Sequence, residues 1–197
     1  MYQKYFYISL FLMAGSLFTQ SKGITSFEEN GLYGFKNKKG KVIIEPQYEQ
    51  TMEFTKSGVA FVVSKNKWIC IDTKNKFLLE SFLYDNGPDY IVESLARYVE
   101  EGKMGFHNER CQKVIKAQYD FAYPFENGYA ILCNGCELKP EGEHKRIVGG
   151  KYGVIDKKGN LVIPIDYEAI ISVDAKKRIA EVKQDGKTVK VKWKARS

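Results

Sequence analysis

Tyr33-Gly34-Phe35-Lys36-Asn37-Lys38-Lys39-Gly40-Lys41-Val42-Ile43-Ile44-Glu45-Pro46-Gln47-Tyr48 decides the fold, because the chain repeats it. The nearest copy is Tyr152-Gly153-Val154-Ile155-Asp156-Lys157-Lys158-Gly159-Asn160-Leu161-Val162-Ile163-Pro164-Ile165-Asp166-Tyr167. Between them, Met104-Gly105-Phe106 leads through Cys111 to Tyr119 over the same length. A weaker copy opens with Trp68-Ile69-Cys70-Ile71-Asp72 and runs through Asn75 to Leu79. The second positions are 34, 69, 105 and 153, giving steps of 35, 36 and 48 residues. The last step carries an insertion of about a dozen residues, and a fixed period of this size is the signature of a repeat architecture.

Each unit has a physical reading. A short apolar strand ends at Asn or Asp, and a turn such as Asn37-Lys38-Lys39-Gly40 or Asp156-Lys157-Lys158-Gly159 follows. Glycine at the last turn position supplies the positive φ of a short hairpin loop. A second strand follows (Val42-Ile43-Ile44; Leu161-Val162-Ile163), and a proline beyond it marks the strand end. A third strand carries alanine: Ala60, Ala96, Ala130 and Ala180. The expected fold is all-β, a tandem array of about four degenerate three-stranded hairpin repeats plus a closing hairpin. The expected units span 31–64, 65–100, 101–148 with the insertion at 133–148, 149–183, and a partial unit at 184–197. In that last piece Val189, Val191 and Trp193 alternate with Lys190, Lys192 and Lys194, which reads as a strand with lysines guarding its edge.

Tyr5 to Phe18 is an apolar run preceded by Lys4 and followed by the small residues Thr19, Ser21 and Gly23. Fourteen residues are too few to span a bilayer, so residues 1–21 are expected to be a secretory signal peptide and 22–197 the repeat domain. A secreted or periplasmic protein with no stable membrane insertion follows. The net charge of +7 is local: Asp174 to Ser197 holds nine Lys/Arg against three Asp/Glu, Lys4 adds one, and Tyr5 to Val173 sums to zero. A nucleic-acid partner would call for a basic face across the body, so none is expected.

The pattern of aromatic-Gly, hydrophobic, Asp/Asn-Lys-Lys-Gly, Val-Ile-Ile, Tyr and later Gly-x-Ala resembles the bacterial WG-repeat family over most of residues 31–193. The Trp-Gly pair itself is replaced at every unit, by Tyr33-Gly34, Trp68-Ile69, Met104-Gly105 and Tyr152-Gly153. The resemblance implies a β-rich interaction scaffold and no enzyme.

The insertion opens with Cys133-Asn134-Gly135-Cys136. Following a strand and containing Asn-Gly, it reads first as a local disulfide at the base of an inserted loop, or as two unpaired thiols. A metal site there would use Cys133, Cys136 and His144 with Cys111 or His107, and a redox motif would need a helix after the first cysteine. Cys70 occupies the core position of Phe35, Phe106 and Val154, and Cys111 occupies a turn-glycine position; a bridge between them is open. His107 replaces a strand residue and His144 lies in the insertion, with no nucleophile motif near either. Tyr48, Tyr119 and Tyr167 recur at one position and read as core contacts, or as a multivalent surface. No catalytic residue, metal or cofactor is expected. The binding candidates are His144 and the lysine row Lys190, Lys192 and Lys194, the latter for an anionic polymer. The leading expectation is an exported scaffold for a protein or cell-surface partner. A metal- or redox-linked role at the Cys133–His144 insertion is the alternative.

Overall fold

The computed structural model describes residues 23–141 and 144–194, and these contain strands and no helix. The segment 1–21, read as a signal peptide, lies outside the described residues. A first sheet joins β1 (Ile24–Glu29), β2 (Leu32–Asn37) and β3 (Val42–Tyr48). Next come β4 (Gln50–Thr51), β5 (Val59–Ser64), β6 (Lys67–Asp72) and β7 (Phe77–Ser81). A small arm, β8 (Leu83–Tyr84) and β9 (Gly87–Pro88), separates these from β10 (Ala96–Glu100), β11 (Lys103–His107) and β12 (Lys113–Tyr119). β7 and β10 touch only at Ser81↔Tyr98 and Glu80↔Val99, which joins both groups into one sheet of order β12-β11-β10-β7-β6-β5-β4. A fourth group holds β13 (Phe121–Ala122), β14 (Tyr129–Glu141), β15 (His144–Asp156) and β16 (Leu161–Tyr167). The last holds β17 (Ala169–Asp174), β18 (Ile179–Gln184) and β19 (Lys187–Lys192).

The antiparallel hairpin array is as the sequence implies, but its phase differs. The alanine strand that ends one sequence unit pairs with the first strand of the next unit: β5 with β6, β10 with β11, β14 with β15 and β18 with β19. A unit written as 31–64 therefore straddles two sheets. The reason is loop length. Only two residues separate β5 from β6, and short connections favour antiparallel neighbours.

Four hairpins share one turn. The side-chain oxygen of Asn37, Asp72, Asn108 or Asp156 accepts from the backbone N–H two and four residues on. The residue three positions on has positive φ in each: Gly40 (79°), Asn75 (62°), Cys111 (52°) and Gly159 (82°). The Asx side chain thus imitates a backbone turn and sets the hairpin register.

The glycine after the aromatic has a different cause. Its φ is ordinary, and it is close approach that excludes a side chain. A Cβ on Gly34 would lie 2.5 Å from the Ile44 carbonyl oxygen and 2.7 Å from the Pro46 nitrogen; on Gly153, 2.8 Å from the Ile163 oxygen. In both hairpins, and in the Gly105 hairpin, the partner strand bulges. Tyr33 faces Tyr48 while Phe35 faces Ile44, so three residues crowd against one glycine. Ile69 takes the glycine position in β6, and there the bulge is missing: Ile69 faces Glu80 and Cys70 faces Leu79 without interruption.

The core lies between successive sheets. Phe35, Ile44, Tyr48, Phe54, Ala60, Val62 and Ile71 fill the first junction, and Val154, Ile163, Ala180 and Val182 the last. Ala60, Ala96, Ala130 and Ala180 are all buried, because a small residue on the inner strand lets the sheets approach. Tyr48 and Tyr119 are buried and Tyr167 packs half-buried against the last junction, as core contacts. Tyr48 also donates its hydroxyl to Asn75 Oδ1 at 2.5 Å, tying the first sheet to the next turn.

Residues 133–148 are a correction. Among the described residues, 133–141 and 144–148 are strand: β14 and β15 continue as a ribbon paired from Tyr129↔Asp156 to Glu141↔His144. Asn134-Gly135 lies inside β14 rather than at a hairpin end. Positions three apart on a regular strand face opposite sides and sit about 10 Å apart. Cys133 and Cys136 are instead 6.1 Å apart at Cα and both buried. Gly135 (φ 72°) and Gly150 (φ 75°), on facing strands, bend the ribbon enough to bring them to one side. Asp120 holds the bend, accepting from Gly135 N–H at 2.6 Å and from Lys103 Nζ at 2.5 Å. The Lys103 hydrogen bond first, and the Gly135 one second, hold its carboxyl below the usual range.

Candidate functional site

The structure scatters the residues singled out from sequence. Cys133 and Cys136 are bonded to each other, which spends both thiols that a metal site would need. His144 lies at the outermost described pair of the ribbon, while Cys133 faces Tyr152 near its base. Among the described residues, no group of three or more His, Cys, Asp or Glu is placed to hold a metal ion. On β19, Lys190 is 3.6 Å from Glu181, and Lys190, Lys192 and Lys194 are exposed along an edge rather than gathered in a pocket. Val191 and Trp193 pack into the last junction, and the Trp193 ring lies edge-on to Tyr129 at 5.1 Å.

His107 is wholly buried. Its Nδ1 sits 2.8 Å from the Asn108 carbonyl oxygen, so this nitrogen carries the proton and donates, leaving buried Nε2 without a partner. Desolvation, opposed by the Asn108 bond and by Asp89, pushes its pKa down. The unfolded chain therefore binds a proton that the folded chain refuses. Stability from this group is complete above the unfolded pKa of about 6.5 and is lost as pH falls through the lowered folded value. The matching residues on β6 and β15 are buried Ile71 and Ile155. His107→Ile is expected to raise the melting temperature and flatten its decline between about pH 7 and about pH 5. A pH series of melting curves checks this; parallel declines in both proteins would refute it.

The second unit departs most from its neighbours. In the first and third, the core phenylalanine meets a second ring from the loop: Phe35 on Phe54 at 4.6 Å and Phe106 on Phe125 at 4.7 Å, both edge-on. Cys70 stands where Phe35 and Phe106 stand, and it is bonded to Cys111 in the turn between β11 and β12. The loop residue matching Phe125, one before the Val92–Leu95 turn, is Ile91, which is 39% exposed. A covalent staple thus replaces the ring pair and releases residues 82–91 to form the arm. Leu83, Tyr84 and Tyr90 on it are exposed, and the two tyrosines stack edge-on at 5.7 Å.

The arm is anchored by a buried ion pair. Arg97 donates through Nε to Asp89 Oδ2 at 2.8 Å, through a terminal nitrogen to Oδ1 at 2.6 Å, and through the other to the Ala122 carbonyl at 3.1 Å. Asp89 also accepts from the Arg97 backbone N–H at 2.8 Å, and its own N–H donates to Ser81 Oγ at 3.0 Å. The guanidinium lies over Phe82 at 4.4 Å and near Tyr84 and Phe121 at 5.7 and 5.9 Å. Between arm and ribbon runs a groove of about 450 Å³. Its lining includes Trp68, Arg97 and Phe121, Leu83 and Tyr84 of the arm, and Leu138 of the ribbon. Trp68 Nε1 donates to the Asn86 carbonyl at 3.2 Å, which closes the arm down on β6.

Sequence reasoning passed over this site. Its one local signal was Asp85-Asn86-Gly87, a hairpin dipeptide pattern inside a stretch rich in Leu, Tyr and Ile where other units carry a short loop.

No curated protein matches the chain. Among solved structures, Hsv2p of Kluyveromyces lactis aligns at 13% identity over 85% of this chain and 70% of that one, with a TM-score of 0.27, too low to carry any argument. The family model described as WG containing repeat matches residues 33–68, 105–135 and 152–187. These segments hold the bulged hairpins of Gly34, Gly105 and Gly153, so motif and geometry agree. The chain belongs to the WG containing repeat family.

Proposed function

We propose that the protein is an exported, non-enzymatic repeat scaffold that binds a protein or cell-surface partner through the arm of the second unit. The observation that carries this is the cluster of exposed Leu83, Tyr84, Tyr90 and Ile91, held in place by a buried ion pair instead of being folded away. Contiguous exposed apolar surface with a rigid support is characteristic of interaction sites. The repeat architecture supports a binding role, since stacked units present extended surfaces. Export is supported by the apolar N-terminal run and by four cysteines that all pair in disulfides, which persist in oxidising compartments.

Capture from the envelope or culture fluid, with the wild type and a Tyr84→Ala/Tyr90→Ala variant as baits, tests the role of the arm. The variant is expected to fold normally and to lose about tenfold or more of the captured partner. Equal capture by both baits would remove the arm from the account. Intact mass of the exported protein, showing loss of about the first 21 residues, checks the leader.

A further inference from the structure

We infer that the Asx turns form a row of cations along one end of the repeat array, and that this row binds a linear phosphate polymer. Each turn carries a basic residue two positions after the Asx: Lys39, Lys74, Arg110 and Lys158. The backbone N–H of that residue donates to the Asx side chain, so the same bond fixes its place in every turn. All four side chains are exposed. The last sheet adds a fifth step without a turn. Ala180 faces Val191 as Ala130 faces Ile155, which makes Lys192 the counterpart of Asp156, and exposed Lys194 stands two positions on.

The turns share one end because each rests on the unit before it. The residue three positions after the Asx makes the contact. Asn75 meets the Tyr48 hydroxyl, Cys111 is bonded to Cys70, and a Cβ on Gly159 would lie 3.3 Å from the Ile115 side chain. Trp193 closes the series on Tyr129. Residues Tyr5 to Val173 are neutral as a whole, so the turn cations in that span are balanced elsewhere. Glu28, Glu29, Glu100 and Glu101 stand at or beside hairpin tips of the other end. Among the described residues none of the five cations of the row is in an ion pair. Asp72 and Asp156, the two acids at the head of these turns, accept from backbone N–H groups.

A row suits a chain better than a plane. The loops that precede the alanine strands carry Lys56 in the second unit but Glu93 and Glu126 in the next two, so the positive field there is one turn wide. An anionic lipid surface rewards a broad cluster of cations, whereas closely spaced charges on a flexible chain can meet every step of a narrow row. Lysine holds phosphate as a point charge, and four of the five cations are lysine. A single-stranded nucleic acid would also need rings for its bases to stack on. Here Phe35 packs on Phe54, Phe106 on Phe125 and Trp193 on Tyr129. Phe77, exposed beside Lys76, is one ring and not a platform.

Anisotropy of end-labelled polyphosphate, titrated with the full chain at several salt concentrations, tests this. The wild type is expected to bind with log affinity falling against log salt at a slope of about −3, as four or five phosphate contacts require. The variant Lys39→Gln/Lys74→Gln/Arg110→Gln/Lys158→Gln keeps the turn bonds, which use backbone N–H groups. It is expected to bind about a hundredfold more weakly, with a slope nearer −1. Lys65→Gln/Lys139→Gln/Lys151→Gln/Lys187→Gln removes the same charge away from the turns and is expected to stay within about threefold of the wild type, because distant charges are screened. Urea midpoints report whether each variant folds. Should the fourfold turn variant unfold early, Lys39→Gln/Lys158→Gln is expected to show about a tenfold loss instead. Absence of salt-sensitive binding to polyphosphate, or equal losses at the two sets of lysines, overturns the inference. So does competition by a single-stranded oligonucleotide, polyglutamate or phosphatidylglycerol vesicles that matches polyphosphate at equal charge.

Discussion

Gly105→Ala is expected to cost about 4 kcal/mol, combining about 3 for forced overpacking with about 1 for a lost hydrogen bond. The added Cβ would lie 2.6 Å from the Ala117 nitrogen and 2.6 Å from a ring carbon of Tyr98, and closer still to the Ile115 carbonyl oxygen. Two of these three atoms are backbone, so no rotamer change relieves them. Retreat of β12 would also break the bond from Ala117 N–H to the Tyr98 hydroxyl, 3.0 Å long. Gly87→Ala is the internal control. That glycine has no positive φ, and its Cβ would meet only the Tyr84 carbonyl oxygen at 3.8 Å. It should unfold at the wild-type urea concentration or slightly above, because alanine restricts the unfolded chain. Urea midpoints measure both. Similar midpoints for the two variants would show that the bulge does not need its glycine.

That contrast bears on how much of the molecule was readable beforehand. The turns were legible because a turn is local: Asn37 or Asp156 and the glycine three residues later act within one short stretch of chain. The glycine beside the aromatic was visible as a motif, but its cause was not, since the crowding comes from a strand some ten residues further on. The offset between sequence repeat and sheet was not readable for the converse reason. Repeats are most easily aligned on their most similar residues, and those start at β2, whereas the sheet opens one strand earlier. The ribbon was misread because Asn-Gly normally closes a hairpin, while here a facing pair of positive-φ glycines bends two strands together.

The arm was illegible in a further way. An arginine in the β-strand Leu95-Ala96-Arg97-Tyr98 reads by alternation as a solvent-facing residue, and its equivalents Phe61 and Ile131 show only that the position is half-buried. Nothing short of the fold shows that Asp89, eight residues earlier and beyond a turn, comes back to meet it.

Arg97→Met is accordingly expected to destabilise the protein by about 4 kcal/mol, the usual cost of orphaning one partner of a buried pair. Met fits the stem, but Asp89, only 7% exposed, would keep a charge with no cation beside it. The informative variant is therefore the double one. Asp89→Asn removes the charge and keeps an oxygen for the Arg97-position backbone N–H, which Asp89 now serves at 2.8 Å. Adding it to Arg97→Met should restore about 2 kcal/mol, a non-additivity expected of direct partners. Strict additivity in urea unfolding would show that the pair is not coupled. Restored stability should not restore the arm, however. A methionine–asparagine pair lacks the fork that grips Asp89 and the Ala122 carbonyl, so amide exchange over residues 82–91 should remain faster than in the wild type. Stability and arm order would then separate in one protein. That separation is what distinguishes an ion pair kept for placing a binding surface from one kept for holding the fold.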